Sequence, residues 1–232
     1  VANGGTSGRT SVLLATEVLS GLATEAENKG RMAAFPGLLD ALATRGARYL
    51  YPEVRTEAAR ALSLLAWDAP SKSMLAEHRA CVPALTELAL DADADCRRYA
   101  VEGLAHLSSA AECKAGMVRG RRGRAVLESL LPFVRSAADA AAADDVVVAS
   151  RCVRSRVSAV AALSNLASRS AATRVARHPG VIDALCELAS TDPPDAAAGV
   201  AAMATKRLAS HARWWTASRS SSSSSSRSSR SG

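Results

Sequence analysis

The 232-residue chain predicts an all-α fold, a solenoid in which short helices repeat about every forty-two residues. Three observations carry this. About a fifth of the residues are alanine and only 3% are aromatic. Such a composition suits closely approaching helices, because Ala has the strongest helix propensity. It argues against β-sandwiches and barrels, which draw on β-branched and aromatic side chains. An apolar pattern then recurs at a near-constant interval, and a second, different pattern recurs in the same register.

The first pattern opens with alanine and places leucines three and four residues apart. It reads ATEVLSGLA from Ala15, AARALSLLA from Ala58, AVEGLAHLS from Ala100, AVAALSNLA from Ala159 and, more weakly, AAMATKRLA from Ala201. The spacings are 43, 42, 59 and 42 residues. The long one is explained by an Ala/Asp insertion, SAADAAAADDVVVAS, over residues 136–150. At 100° per residue, Ala58, Leu62 and Leu65 share one narrow arc of a helix, while Glu57, Arg60 and Leu64 lie opposite. One such helix cannot cover its own stripe, so neighbours must stack.

The second pattern reads PGLLDALA from Pro36, CVPALTELA from Cys81, AVLESLLPFV from Ala125 and PGVIDALCELA from Pro179. A shorter element precedes each one and carries a basic residue near its start: Lys29, Lys72, Lys114 and Arg174. Each unit therefore holds three helices. The expected layout is a flexible stretch over 1–8, a lone third helix over about 9–23, and units at about 24–67, 68–109, 110–168 and 169–210.

Pro179-Gly180-Val181-Ile182-Asp183-Ala184-Leu185 and Ala162-Leu163-Ser164-Asn165-Leu166-Ala167 resemble the consensus of the armadillo repeat family. The resemblance covers about residues 9–210. It implies a right-handed armadillo-type helical solenoid whose third helices line a concave groove that takes extended peptides. HEAT repeats are the nearest competitor. Asn165 matches the family asparagine that fixes a peptide backbone through its side-chain amide, which offers both donors and an acceptor. The family's nuclear import receptors also carry a Trp four residues before each Asn. Here that position holds Ala161, Arg60, Glu102 and Met203, and the other Asn positions hold Leu64, His106 and Arg207. The ladder is missing, so import-receptor function is not implied.

The candidate partner-binding residues are Arg60, Arg98, Glu102, His106, Asn165 and Arg207. Their cations make the groove mildly suited to acidic segments, with Glu102 working against a uniform field. Four units at about 10 Å per helix layer and about 3.3 Å per extended residue accommodate about a dozen partner residues. The expected function is non-catalytic protein binding.

A rival reading rests on Arg119, Arg121, Arg122 and Arg124 in the run RGRRGR, expected in a loop between the first and second helices of its unit. Arginines grip phosphate by bidentate, charge-assisted hydrogen bonds. No aromatic residue is interleaved for base stacking, which weakens the RNA case. The serine- and arginine-rich tail over 211–232 cannot bury apolar surface and is expected to be disordered. Phosphorylation would turn it from basic to acidic. Trp214 and Trp215, just before it, are expected to cover the end of the solenoid.

Four of the 29 basic residues and none of the 22 acids follow His211, so the body is nearly balanced. His78, His106, His178 and His211 have no metal-ligand spacing, and no nucleophile-elbow or phosphate-loop motif is present. No enzyme activity, cofactor or metal is expected. No run of 18 apolar residues suggests a membrane span. The N-terminus does not read as a signal peptide, and its initial Val suggests a processed chain or a fragment. Five scattered cysteines fit a reducing compartment, cytoplasm or nucleus. Cys96 and Cys186 are expected on buried stripes. The partner's identity and the oligomeric state are not legible.

Overall fold

A computed structural model of the protein describes residues 4–135, 146–190 and 197–209. In chain order the helices are α1 (Gly4–Leu22), α2 (Ala26–Ala34), α3 (Leu38–Asp40, continuing as a π-helical turn over Ala41–Gly46) and α4 (Pro52–Leu65). Next come α5 (Ala69–Glu77), α6 (Cys81–Leu88), α7 (Ala94–Ser109), α8 (Ala111–Met117) and α9 (Gly120–Arg135). The last are α10 (Val146–Leu166), α11 (Arg169–Ala176), α12 (Val181–Ala189) and α13, over residues 197–209. Among the described residues there is no strand. No helix among them is long and apolar enough to cross a membrane. The tail with Trp214 and Trp215, and residues 136–145 of the insertion, lie outside the described residues.

Local chemistry sets the boundaries. Pro52 starts α4, where its missing N–H is one of the unpaired donors anyway. Asp68 caps α5 by accepting from the backbone N–H and hydroxyl of Ser71, and Asp93 caps α7 by accepting from the Cys96 N–H at 2.7 Å. Gly37 and Gly180, at φ 79° and 80°, turn the chain into α3 and α12. Both belong to the Pro-Gly pairs of the second sequence pattern.

Packing follows the repeat in three layers. The first helices α2, α5, α8 and α11 lie side by side, as do the second helices α3, α6, α9 and α12. The third helices α1, α4, α7 and α10 form the most closely packed series. The predicted stripes are fully buried: Ala58, Leu62 and Leu65, then Ala100, Leu104 and Leu107, then Ala159, Leu163 and Leu166. They belong to one continuous apolar cluster that runs from Ala23 to Leu208. Each buried leucine contributes about 1.5–3 kcal/mol.

Polar side chains also bridge adjacent units. Arg48 pairs with Glu87 at 2.8 Å and Arg55 with Asp91 at 2.6 Å. Ser73 donates to Glu112, and Ser20 donates to Glu57. Gly103 in α7 lets two layers approach, because a Cβ there would lie 3.1 Å from a Leu85 methyl and 3.4 Å from the Ser63 Cα.

Two expectations are corrected. The run RGRRGR is not a loop: Arg119 precedes α9, and Gly120 through Arg124 form its first turns. Gly120 takes a left-handed φ of 58°, and a Cβ at Gly123 would overlap the backbone of Val118. These glycines let α9 start immediately behind α8. Cys186 is exposed, although Cys96 is buried as expected.

Candidate functional site

The outward faces of the third helices carry two adjoining regions of opposite charge. Toward α1, a hollow of about 350 Å³ is lined by Glu17, Glu53, Glu57, Asp93 and Asp95 together with Leu13 and Pro52. Toward α10, a wider depression of about 640 Å³ is walled by Arg60, Arg98, Tyr99, Glu102, Ser150, Arg151 and Arg154.

The arginines of the wider depression are held to different degrees. Arg98 is the most enclosed. It donates to Asp95 at 3.2 Å and to Glu102 at 3.3 Å, and its guanidinium stacks 3.9 Å above the Tyr99 ring. Arg151 reaches the same Asp95 at 3.1 Å from the next unit. Arg60 makes a looser contact with Glu57 at 3.5 Å. Arg154 is exposed at the rim. A carboxylate or phosphate entering here meets Arg60 and Arg154 directly, and Arg98 only by competing with Asp95 and Glu102.

The remaining predicted residues follow the C-terminal halves of the third helices. His106 packs edge-on to Trp67, with ring centroids 4.7 Å apart. Burial, then Lys72 and Lys29, push the His106 pKa down to about 4. It is therefore neutral at physiological pH and adds no positive charge to the groove, unlike the role expected of it. The Asn165 amide donates to the Ser108 hydroxyl of the preceding unit at 3.3 Å, leaving its carbonyl oxygen and one N–H for another partner. Arg207 reaches back to the Ser164 hydroxyl at 3.2 Å.

The structure thus brings Arg60, Arg98 and Glu102 into one depression. His106, Asn165 and Arg207 stand apart from it. Sequence reasoning missed Tyr99, Arg151, Arg154 and Trp67. Arg151 and Arg154 were hidden by the insertion, whose last residues lengthen α10 at its N-terminal end and carry Ser150 and Arg151 to the groove. Trp67 sits one residue past the repeat pattern, yet it is mostly exposed beside His106.

The four arginines of the rival reading lie on the surface at the start of α9. Arg122 donates to the Arg79 carbonyl at 3.3 Å, and Arg124 pairs with Glu128 at 2.9 Å. Among the described residues, no group of three or more His, Cys, Asp or Glu side chains could hold a metal ion. Burial pushes the Cys81 and Cys96 thiols up to about 12 and Cys113 to about 11, well away from thiolate chemistry.

No family model and no curated protein matches the chain. Solved structures do. An engineered protein determined by a structural genomics consortium is 20% identical, with a TM-score of 0.53 over 85% of this chain and 92% of its own. A second engineered protein gives 19% identity and a TM-score of 0.51 over 85% and 90%. A designed armadillo repeat protein aligns at 18% identity and a TM-score of 0.52, over 84% of this chain and 92% of its own. The fold is an armadillo-like repeat solenoid. At these identities the likeness is one of fold, and what the armadillo-like array does must be argued from its own surface.

Proposed function

We propose that this armadillo-like array is a non-catalytic scaffold that holds an extended segment of a partner protein across α4, α7 and α10. One observation supports this above the rest. The uncovered faces of three consecutive third helices supply Arg60, Arg98, Tyr99, Arg151 and Arg154 to a single open depression. Arginine and tyrosine are among the residue types that dominate the binding energy of protein interfaces. The adjoining acidic hollow gives the groove a direction, so a bound segment places acidic residues toward α10 and basic ones toward α1. Cytoplasm or nucleus is the proposed location, because three buried thiols stand unpaired.

A library of labelled twelve-residue peptides, scored by fluorescence anisotropy, tests the reading. Peptides with an acidic cluster should bind, and Arg60→Ala with Arg154→Ala should weaken them at least about tenfold, a loss of about 1.4 kcal/mol. Asn165→Ala should weaken them as well. If those variants change nothing while Arg119→Ala with Arg122→Ala abolishes binding, the groove is not the site. The second reading, phosphate or RNA association through Arg119, Arg121, Arg122 and Arg124, is favoured by their position at a helix N-terminus, where backbone N–H groups attract anions. Its signature is a steep loss of affinity as salt rises.

A further inference from the structure

The outer side of α1 breaks the burial rule that every other described third helix with a counterpart on both sides obeys. Val18 aligns with Ala61 and Ala162, and Leu22 with Leu65, Leu107 and Leu166. Those counterparts are 0% exposed, whereas Val18 is 60% exposed and Leu22 47%. Ala15 is exposed too, although Ala58, Ala100 and Ala159 are fully buried. Leu14, Val18 and Leu22 fall four residues apart and make a continuous apolar stripe along α1.

The repeat itself says what belongs there. At the equivalent place in α7, Gly103 faces Leu85 of α6, the second helix of its own unit, and Ser63 of α4. Two hollows flank α1 in matching positions. One, of about 350 Å³, lies between α1 and α3 and is walled by Val12, Ala15, Leu42 and Gly46 among others. The other, of about 430 Å³, lies between the end of α1 and α2 and includes Leu22, Met32 and Phe35. Inside the array, α6 packs on α3 and α5 packs on α2. The hollows are therefore the footprints of a second helix and a first helix belonging to the unit before.

We propose that the outer face of α1 is a seam that seats a pair of short amphipathic helices, the first and second helices of one further repeat unit, placed N-terminal to α1 in the array. A second copy does not fit as well. Stacked head to tail, it would offer the third helix α13 to α1 and leave both hollows empty. A heterologous contact of that kind also fails to close and grows into filaments.

The test uses the chain's own helices. Residues 68–91, which hold α5 and α6, are joined to residue 7, which keeps the spacing found ahead of α7. The graft should raise Tm by at least about 5 °C and reduce binding of an apolar dye. Val18→Asp should leave the Tm of the original chain unchanged and abolish the rise in the graft. A labelled peptide of residues 68–91 added to the original chain supplies an independent reading, with saturable binding expected and lost in Val18→Asp. No rise in a folded graft overturns the proposal, as does failure of the peptide to bind if the graft does not fold. So does sedimentation showing that the original chain dimerises through this face and that Val18→Asp makes it monomeric.

Discussion

Arg55 and Asp91 form a forked ion pair between two consecutive units, Nε to Oδ2 at 2.6 Å and Nη2 to Oδ1 at 3.1 Å. The pair is largely shielded from solvent. The same guanidinium donates to the Tyr49 carbonyl at 2.9 Å, so it also pins the turn ahead of α4. The hydrogen bond from Arg55 holds the Asp91 carboxyl below its ordinary pKa. A carboxylate with a depressed folded-state pKa stabilises the fold above its unfolded value and loses that contribution as pH falls through the folded one. Asp91→Asn should therefore cost about 1–2 kcal/mol at neutral pH, allowing for partial exposure. Urea denaturation should show the difference shrinking below about pH 4.

His106 titrates in the opposite chemical sense with the same sign of effect. Its folded pKa of about 4 lies below the ordinary histidine value of 6.5. As pH falls from 6.5 toward 4, the unfolded chain takes up a proton that the folded chain refuses, so stability declines over that window. The ring protons of His106 should titrate in NMR with a midpoint well below 6. His106→Gln should flatten the fall in Tm between those two pH values.

Two glycines should respond differently to substitution. Gly123 meets backbone that cannot retreat, so Gly123→Ala should destabilise by about 2 kcal/mol or more. Gly103 meets the movable end of Leu85, and its counterparts are alanines, so Gly103→Ala should stay within about 1 kcal/mol of neutral. Gly103→Leu should cost about 2–3 kcal/mol by forcing α4 and α7 apart. Thermal melts of the three variants check this ranking.

Thiol labelling should divide the cysteines. Cys186, exposed on α12, and Cys152, half-buried on α10, should react with an aromatic disulfide reagent in the native protein. Cys81, Cys96 and Cys113 should react only as the fold opens, at rates that follow denaturant concentration.

Trp67 should contribute to partner affinity without supporting the fold. It is mostly exposed, and its contact is the edge of His106. Trp67→Ala should leave Tm nearly unchanged and weaken groove ligands about tenfold, as interface tryptophans commonly do. Unaltered affinity would remove Trp67 from the site.

The helical register was readable because burial and sequence share one period: Ala58, Leu62 and Leu65 repeat as alanine and two leucines in each of the inner third helices. The Pro-Gly pairs that open the second pattern were visible as a repeat, but the left-handed turns at Gly37 and Gly180 came only with the structure. What escaped was set by contacts that no residue pattern records. RGRRGR looks like a loop until Val118 is seen to need Gly123 beside it. The Ala/Asp insertion looks like filler until Arg151 reaches Asp95. Cys186 sits on an apolar stripe, yet the fold leaves it exposed. The charge of His106 was misjudged because no local pattern records how deeply its ring sinks beside Trp67.

The cross-links between units, Arg48 to Glu87 and Ser73 to Glu112 among them, join each turn of the spiral to the next. In such an array a change in spacing between two neighbouring units reaches both ends as a change of angle. A shim as large as leucine at Gly103 would be felt as leverage at α1 and α13, altering the curvature of the whole without touching either end.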